Sequence, residues 1–286
     1  MFGGFGTPVG GAPASGGGGS GSDKKFQLLA VRCLTASVTY NMQQDIDAIA
    51  AGTFTDTTYT DSGLKAAGEV THVKRQLVGG GGGGYRNTTS SLYQSLPGAV
   101  IEDKNFVGIN DLSSINSIPV IIGSGGLNEN DGGNTTMMGL VAFGGPASSL
   151  STAFGLQHLV RSHRSLGADD LLRSSVSSSN NNPSTLGISS IDGPAGGAGL
   201  QGGLGGHSYI SDSSLQRLGG VSGAEDGQNA NSYRGFGAGG ASRNDSFPPG
   251  AGGVPGGGGG GTRSNTPSTM RAGGRGEIRI EFWGVA

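Results

Sequence analysis

The stretch Val70-Thr-His-Val-Lys-Arg-Gln-Leu-Val78 runs without a break into six consecutive glycines, Gly79 to Gly84. Apolar residues recurring at a period of two mark a strand, and here Val73, Arg75 and Leu77 fall on one face. The chain closes on a counterpart. Gly256 to Gly261 is a second run of six, and the last residues include Glu277-Ile-Arg-Ile-Glu-Phe-Trp283. In that segment Ile278, Ile280 and Phe282 point one way while Glu277, Arg279, Glu281 and Trp283 point the other. This is the pattern of a strand with one buried face.

Between these two strands the composition looks like linker. Of 286 residues 61 are glycine, against a usual ~7%. Each ordered glycine opposes folding by about 0.5–1 kcal/mol relative to alanine, so a folded chain of this kind needs a compensating gain. Left-handed helices of three residues per turn have no internal hydrogen bonds, and they pack side by side where only glycine lines the contact. Neighbouring segments then satisfy each other's amides. Disordered chains combine high net charge with few apolar residues. This chain has a formal charge of −2 and strand-like apolar pieces between its glycine runs. Collagen is excluded, because no Gly-X-Y period is sustained. The expected fold is mainly β with extensive glycine-rich, polyglycine-II-like irregular structure, together with a small mixed N-terminal module.

Three regions follow from the composition. Residues 1–22 read as a Gly-rich arm or tether in which Phe2, Phe5 and Val9 are small anchors. Residues 23–69 read as a small module. It starts with a β-prone run from Phe26 to Tyr40 and continues with a short helix capped by Asn41, with Met42, Ile46 and Ile49 on one face and Gly52 as its stop. A further strand is expected over 53–60, where Phe54 and Tyr59 alternate with polar residues. Residues 70–286 form the glycine-rich region. It contains a strand carrying Ile118, Val120 and Ile122, helical turns over 156–166 and 169–173, and inserts that leave the scaffold as loops.

Little chemistry is announced. Cys33, the sole cysteine, cannot form an intrachain disulfide and sits in an apolar run. No stretch approaches the ~18 apolar residues of a membrane span, and the first residues lack the features of a signal peptide, so a soluble chain is expected. Gly79, Gly81 and Gly84 satisfy GxGxxG only as any glycine run does, and the dipeptide Gly-Lys of a phosphate-binding loop never occurs. His72, His158, His163 and His207 are scattered, Asp169 and Asp170 diverge as neighbours, and Gly123-Ser-Gly-Gly126 reads as a turn. The sequence therefore points to neither catalysis nor a metal or other cofactor. Recognition remains. Aromatic rings stack on sugars or pack on protein loops, and arginine offers a forked donor. Tyr85, Arg86, Tyr209, Tyr233, Arg234 and Phe236, each close to glycines, are the candidate receptor-binding residues. Burial of the same rings against the ends of the scaffold is the other reading.

A series of short motifs also carries a family resemblance. After the first strand and glycine run come Val120-Ile-Ile-Gly-Ser-Gly-Gly126, Gly132-Gly-Asn-Thr-Thr136, Ala142-Phe-Gly-Gly145 and finally Gly274 to Trp283. In this order they resemble the glycine-rich domain of bacteriophage tail fibre and tail-tip proteins, over residues 70–286. Met137 and Met138 stand where that family often has an aromatic residue. The resemblance implies a virion-attached, homotrimeric adhesin whose loops bind a host cell-surface receptor, protein or polysaccharide. It would be assembled in the host cytoplasm and act outside the cell, joined to other virion tail or head proteins through residues 1–69. It implies neither an enzymatic role nor nucleic-acid binding nor membrane insertion. The alternative is a non-adhesive structural component of a virus head or tail.

Overall fold

The computed structural model describes residues 25–84, 93–149, 175–177, 189–191, 193–197, 208–209, 213–220, 225–241, 249–261 and 271–286. In chain order the elements are β1 (Phe26–Leu34), β2 (Val38–Tyr40), α1 (Met42–Ala50), β3 (Gly63–Leu64), β4 (Glu69–Val78), β5 (Tyr93–Ser95), β6 (Val100–Glu102), β7 (Val107–Gly108) and β8 (Ile118–Ile121). They continue with β9 (Thr135–Met137), β10 (Leu140–Ala142), β11 (Ala147–Ser149), β12 (Ser175–Ser177), β13 (Ser189–Ile191), β14 (Ser208–Tyr209) and β15 (Glu277–Val285). The fold is mainly β, as the alternation predicts, with one α-helix among the described residues.

The two bracketing strands are neighbours. β15 pairs antiparallel with β4 from Glu277↔Val78 to Val285↔Glu69, and with β1 on its other side. The main sheet has the order β3-β1-β15-β4-β6, with β7 also on β4. Residues 25–69 thus do not form a module beside the sheet: β1 is one of its central strands, bulged where Leu29 is inserted between Leu28 and Ala30. Long pairings between segments so far apart in sequence make the first and last parts of the chain interdependent.

The core lies on one face of this sheet. Val73, Leu77, Ile278, Ile280 and Phe282 pack there against Met42 and Ile49 of α1 and against Ile118, Val120 and Met137 of a second sheet of order β10-β9-β8-β2. Two layers around one apolar interior are the usual solution for a half-apolar sheet. Arg75 shares this face with Val73 and Leu77, and it is accommodated by pairing. Its Nε and Nη2 donate to the two carboxylate oxygens of buried Asp103, each at 2.8 Å. The helix starts as the sequence predicts: the Asn41 side chain accepts from the Gln44 amide at 3.3 Å, and Gly52 follows at φ +71. Residues 53–60, expected as a strand, instead form an irregular segment, because their backbone is taken up by local bonds. Ala48 O accepts from the Thr53 and Phe54 amides, and Asp56 turns the chain by accepting from the Thr58 amide and Ser62 Oγ. The expected helical turns at 156–166 and 169–173 lie outside the described residues.

The glycine segments are hydrogen-bonded to one another, and the order of their partners repeats every three residues. The Gly79 and Gly82 amides donate to Ala99 and Leu96. Gly80 and Gly83 donate to Gly133 and Asn130, and Gly81 and Gly84 donate to Gly274 and Arg271. Three antiparallel neighbours are thereby fixed. The carbonyls of Gly80, Gly81 and Gly82 accept in turn from Gly145, Gly126 and Gly259, which belong to three further segments. The run 79–84 is therefore surrounded on six sides by backbone. The same step of three recurs at 237–241, where Gly237 and Gly240 donate to Pro255 and Gly258 while Ala238 and Ala241 donate to Gln228 and Glu225. Side chains have no room here. A methyl group built on Gly80 would overlap the Ser124 carbonyl, one on Gly81 the Gly257 carbonyl and one on Gly84 the Gly260 carbonyl.

Candidate functional site at the two ends of the glycine bundle

The bundle has two distinct ends. At one, Val78 passes into Gly79 and Gly276 into Glu277, so the segments continue into the main sheet. At the other, the described ends of several segments are held side by side. Gly84 donates to Arg271, Ala241 to Glu225, Gly250 to Ala241 and Gly260 to Gly250. Gly84, Glu225, Ala241, Gly250, Gly260 and Arg271 therefore lie at the end remote from the sheet. The short turn 127–129 lies there too, with the Glu129 amide donating to Gly84 O. A hydrogen-bonded bundle thus brings several segment ends and one turn together at one end, an arrangement that suits a scaffold for a composite surface.

Tyr85 and Arg86 follow Gly84 in the sequence and lie outside the described residues. Tyr209 contributes backbone to β14, and its side chain also lies outside them. The structure places the remaining candidates at the opposite end. The turn 231–236 joins two glycine segments at the sheet end and folds down on the face of the main sheet away from the core. Tyr233 is buried against Val31 and Cys33, and Phe236 against Val78 and Val100. Neither ring is presented to solvent. Arg234 alone of the three is exposed, its Nε donating to Tyr233 Oη at 3.0 Å.

This packing answers a question raised by β15. Its second face was expected to be solvated, yet Glu277 and Arg279 are 0% and 2% exposed. The turn covers them, and their polar atoms are provided for. Arg279 donates to Glu277 Oε1 at 2.9 Å, to Gln76 Oε1 at 2.9 Å and to Gly235 O at 2.5 Å, with its guanidinium 4.9 Å above the Phe236 ring. Glu277 accepts in addition from Tyr59 Oη at 2.8 Å and from Arg275. Burial opposes the charge on Arg279, but the Glu277 carboxylate outweighs it and raises the guanidinium's pKa. Burial likewise pushes the Tyr59 phenol up, reinforced by Glu277. Asp61 completes the clamp by accepting from Ser232 Oγ and from the Tyr233 amide. Buried ion pairs of this kind hold a unique arrangement only where each partner is satisfied.

Sequence reasoning missed Tyr59, Asp61, Gln76, Glu277 and Arg279 as the residues that seat the turn. The available signal was the charge pair Glu277/Arg279 at alternate positions of an otherwise apolar strand. Cys33 lies under Tyr233, and burial pushes its thiol well above the usual range, consistent with an inert packing role. Among the described residues no group of three or more His, Cys, Asp or Glu side chains is arranged to hold a metal ion, and no helix is long and apolar enough to cross a membrane.

No curated protein matches the sequence. A family described as glycine-rich domain matches residues 53–283. That span takes in the irregular segment 53–60, β4, the glycine bundle and most of β15, which are the parts shown above to be built on one another. The chain belongs to this glycine-rich domain family.

Proposed function

We propose that this chain is a virion structural protein, a phage tail fibre or tail-tip adhesin that presents loops on a rigid glycine scaffold for binding to a host cell-surface receptor. Its glycine segments are read as polyglycine-II-like rods. A step of three in the hydrogen-bond partners and six backbone neighbours around one rod fit a helix of three residues per turn that has no internal bonds. The observation that carries the functional reading is that the segment ends Gly84, Glu225, Ala241, Gly250, Gly260 and Arg271 and the turn 127–129 lie together at one end of the bundle. A receptor surface needs variable loops held by an invariant frame, and a frame without side chains leaves sequence change to the loops. Tyr85 and Arg86 are the receptor-contacting residues of this reading. Tyr233 and Phe236 serve the frame. Residues 1–69 join the protein to other virion proteins, and a homotrimer is the assembly that goes with a fibre.

The test is adsorption of the purified full-length protein to host cells. The proposal expects saturable binding that Tyr85→Ala/Arg86→Ala lowers at least about tenfold and that Arg234→Ala leaves unchanged. Absence of binding by the intact protein overturns the adhesin reading and leaves the non-adhesive head or tail component in its place.

A further inference from the structure

The outward face of the main sheet is only half covered. Counting from the glycine end, the rows Glu277–Val78–Val100 and Cys33–Arg279–Gln76 lie under the turn 231–236, whereas in the row Leu28–Trp283–His72 only Leu28 borders the covered patch. There the rings of Phe26, His72, Phe106 and Trp283 form a continuous cluster. Phe26 stacks on Trp283 at 5.9 Å and meets His72 and Phe106 edge-on at 5.5 and 5.6 Å, while Phe106 lies 5.0 Å from Trp283. Phe26 and Phe106 are 43% and 46% exposed. Four rings from β1, β4, β15 and the segment before β7 have been brought together and left open, although the same face is sealed a few residues away. Contiguous aromatic surface of this kind marks a contact site.

We propose that this cluster is the docking site of the chain's own N-terminal segment, with Phe2 and Phe5 as the inserting side chains. Residues 1–24 enter the described structure at Lys25, next to Phe26, so the segment starts at the site it would occupy. Phe5 and Phe26 are 21 positions apart, enough chain to reach about 70 Å when extended. The whole cluster is therefore within reach, and tethering gives the contact a high effective concentration, on the order of millimolar. Chemistry agrees with geometry. Residues 1–22 carry no Asp, Glu, Lys or Arg, and their large apolar side chains are Met1, Phe2, Phe5 and Val9. Gly4 and Gly6 flank Phe5 and Gly3 follows Phe2, so both rings can lie against an aromatic surface at edge-to-face distance. The inference goes beyond the adhesin reading and stands without it: where both hold, the N-terminal segment lies on its own sheet and the rest of residues 1–69 carries the attachment to other virion proteins.

Trp283 is the sole tryptophan and sits in the middle of the cluster, so its fluorescence reports on the site directly. The experiment compares acrylamide quenching of full-length wild type with the full-length variant Phe2→Ser/Phe5→Ser over a hundredfold range of protein concentration. The proposal expects a quenching constant at least about twofold larger in the variant at every concentration, restored towards wild type by adding a peptide of residues 1–9. Equal quenching in the two proteins overturns it. Shielding of wild type that disappears on dilution also overturns it, by showing that a second copy covers the cluster.

Discussion

The main sheet and the glycine bundle solve the same problem by opposite means. Both must satisfy every buried amide and carbonyl. The sheet does so with a period of two, which sends side chains to both faces, and its stability rests on what those side chains fill: Leu77, Ile278, Ile280 and Phe282 on the core face, Arg279 and its partners on the other. The bundle does so with a step of three and directs its bonds to as many as six neighbours, which leaves no direction for a side chain. The sheet is therefore vulnerable to atoms removed, and the bundle to atoms added.

The sharpest way to break this contrast is to place single methyl groups. Gly81→Ala, which drives a methyl into the Gly257 carbonyl, is expected to cost about 3 kcal/mol or more and to abolish soluble expression, since backbone on both sides leaves nothing to repack. Gly139→Ala is the control. Gly139 has φ +82 but open space around its Cβ position, so only the left-handed strain of about 1–2 kcal/mol is expected. Thermal or urea unfolding of the two variants checks this, and equal effects would deny the packing account.

In the sheet the corresponding experiment is deletion. Arg279→Leu takes from the Glu277 carboxylate, which is 0% exposed, its buried charge partner, leaving it Tyr59 and the half-buried Arg275, and removes the bond to Gly235. A loss of about 3–5 kcal/mol is expected, read as a lower denaturant midpoint. Phe236→Ala is expected to cost about 3 kcal/mol and to release the turn 231–236, detectable as cleavage by a protease at Arg234. Were Phe236→Ala neutral, the turn would not be seated as described.

Raising the pH addresses the same covered face without mutation. Cys33 and Tyr59 beneath the turn, and Tyr40 on the core side, all have pKa values pushed up by burial. A group held neutral in the folded state adds stability below its unfolded pKa and loses it as pH rises above that value. Stability is therefore expected to decline with pH above about 9–10, where free thiols and phenols ionise. Arg234→Ala, at an exposed position, should change stability by less than about 0.5 kcal/mol.

The parts legible in the sequence are those whose pattern is local. β4, β15 and the capped helix α1 were read from alternation, spacing and the Asn41 cap, since a strand's period and a helix's start are written in adjacent residues. The destination of the turn 231–236 was not legible. Tyr233 and Phe236 look like loop contacts because glycines flank them, and only the pairing of β15 with β1 and β4 shows that a sheet face lies beneath. The irregular path of 53–60 was hidden for a related reason, because Asp56 and Ser62 provide side-chain bonds that override an alternating pattern. For the same cause the cluster of Phe26, His72, Phe106 and Trp283 escapes a reading by segments: its members come from four places in the chain.

Amide hydrogen exchange of Gly79 to Gly84 and Gly256 to Gly261 tests the account most directly. The amides of Gly79 to Gly84 and of Gly256 to Gly260 each donate to a backbone carbonyl, so the account predicts for them protection comparable to that of Val73, Leu77 and Ile280 in the sheet. Exchange of both glycine runs at the rate of an unstructured peptide, with the sheet still protected, would contradict it.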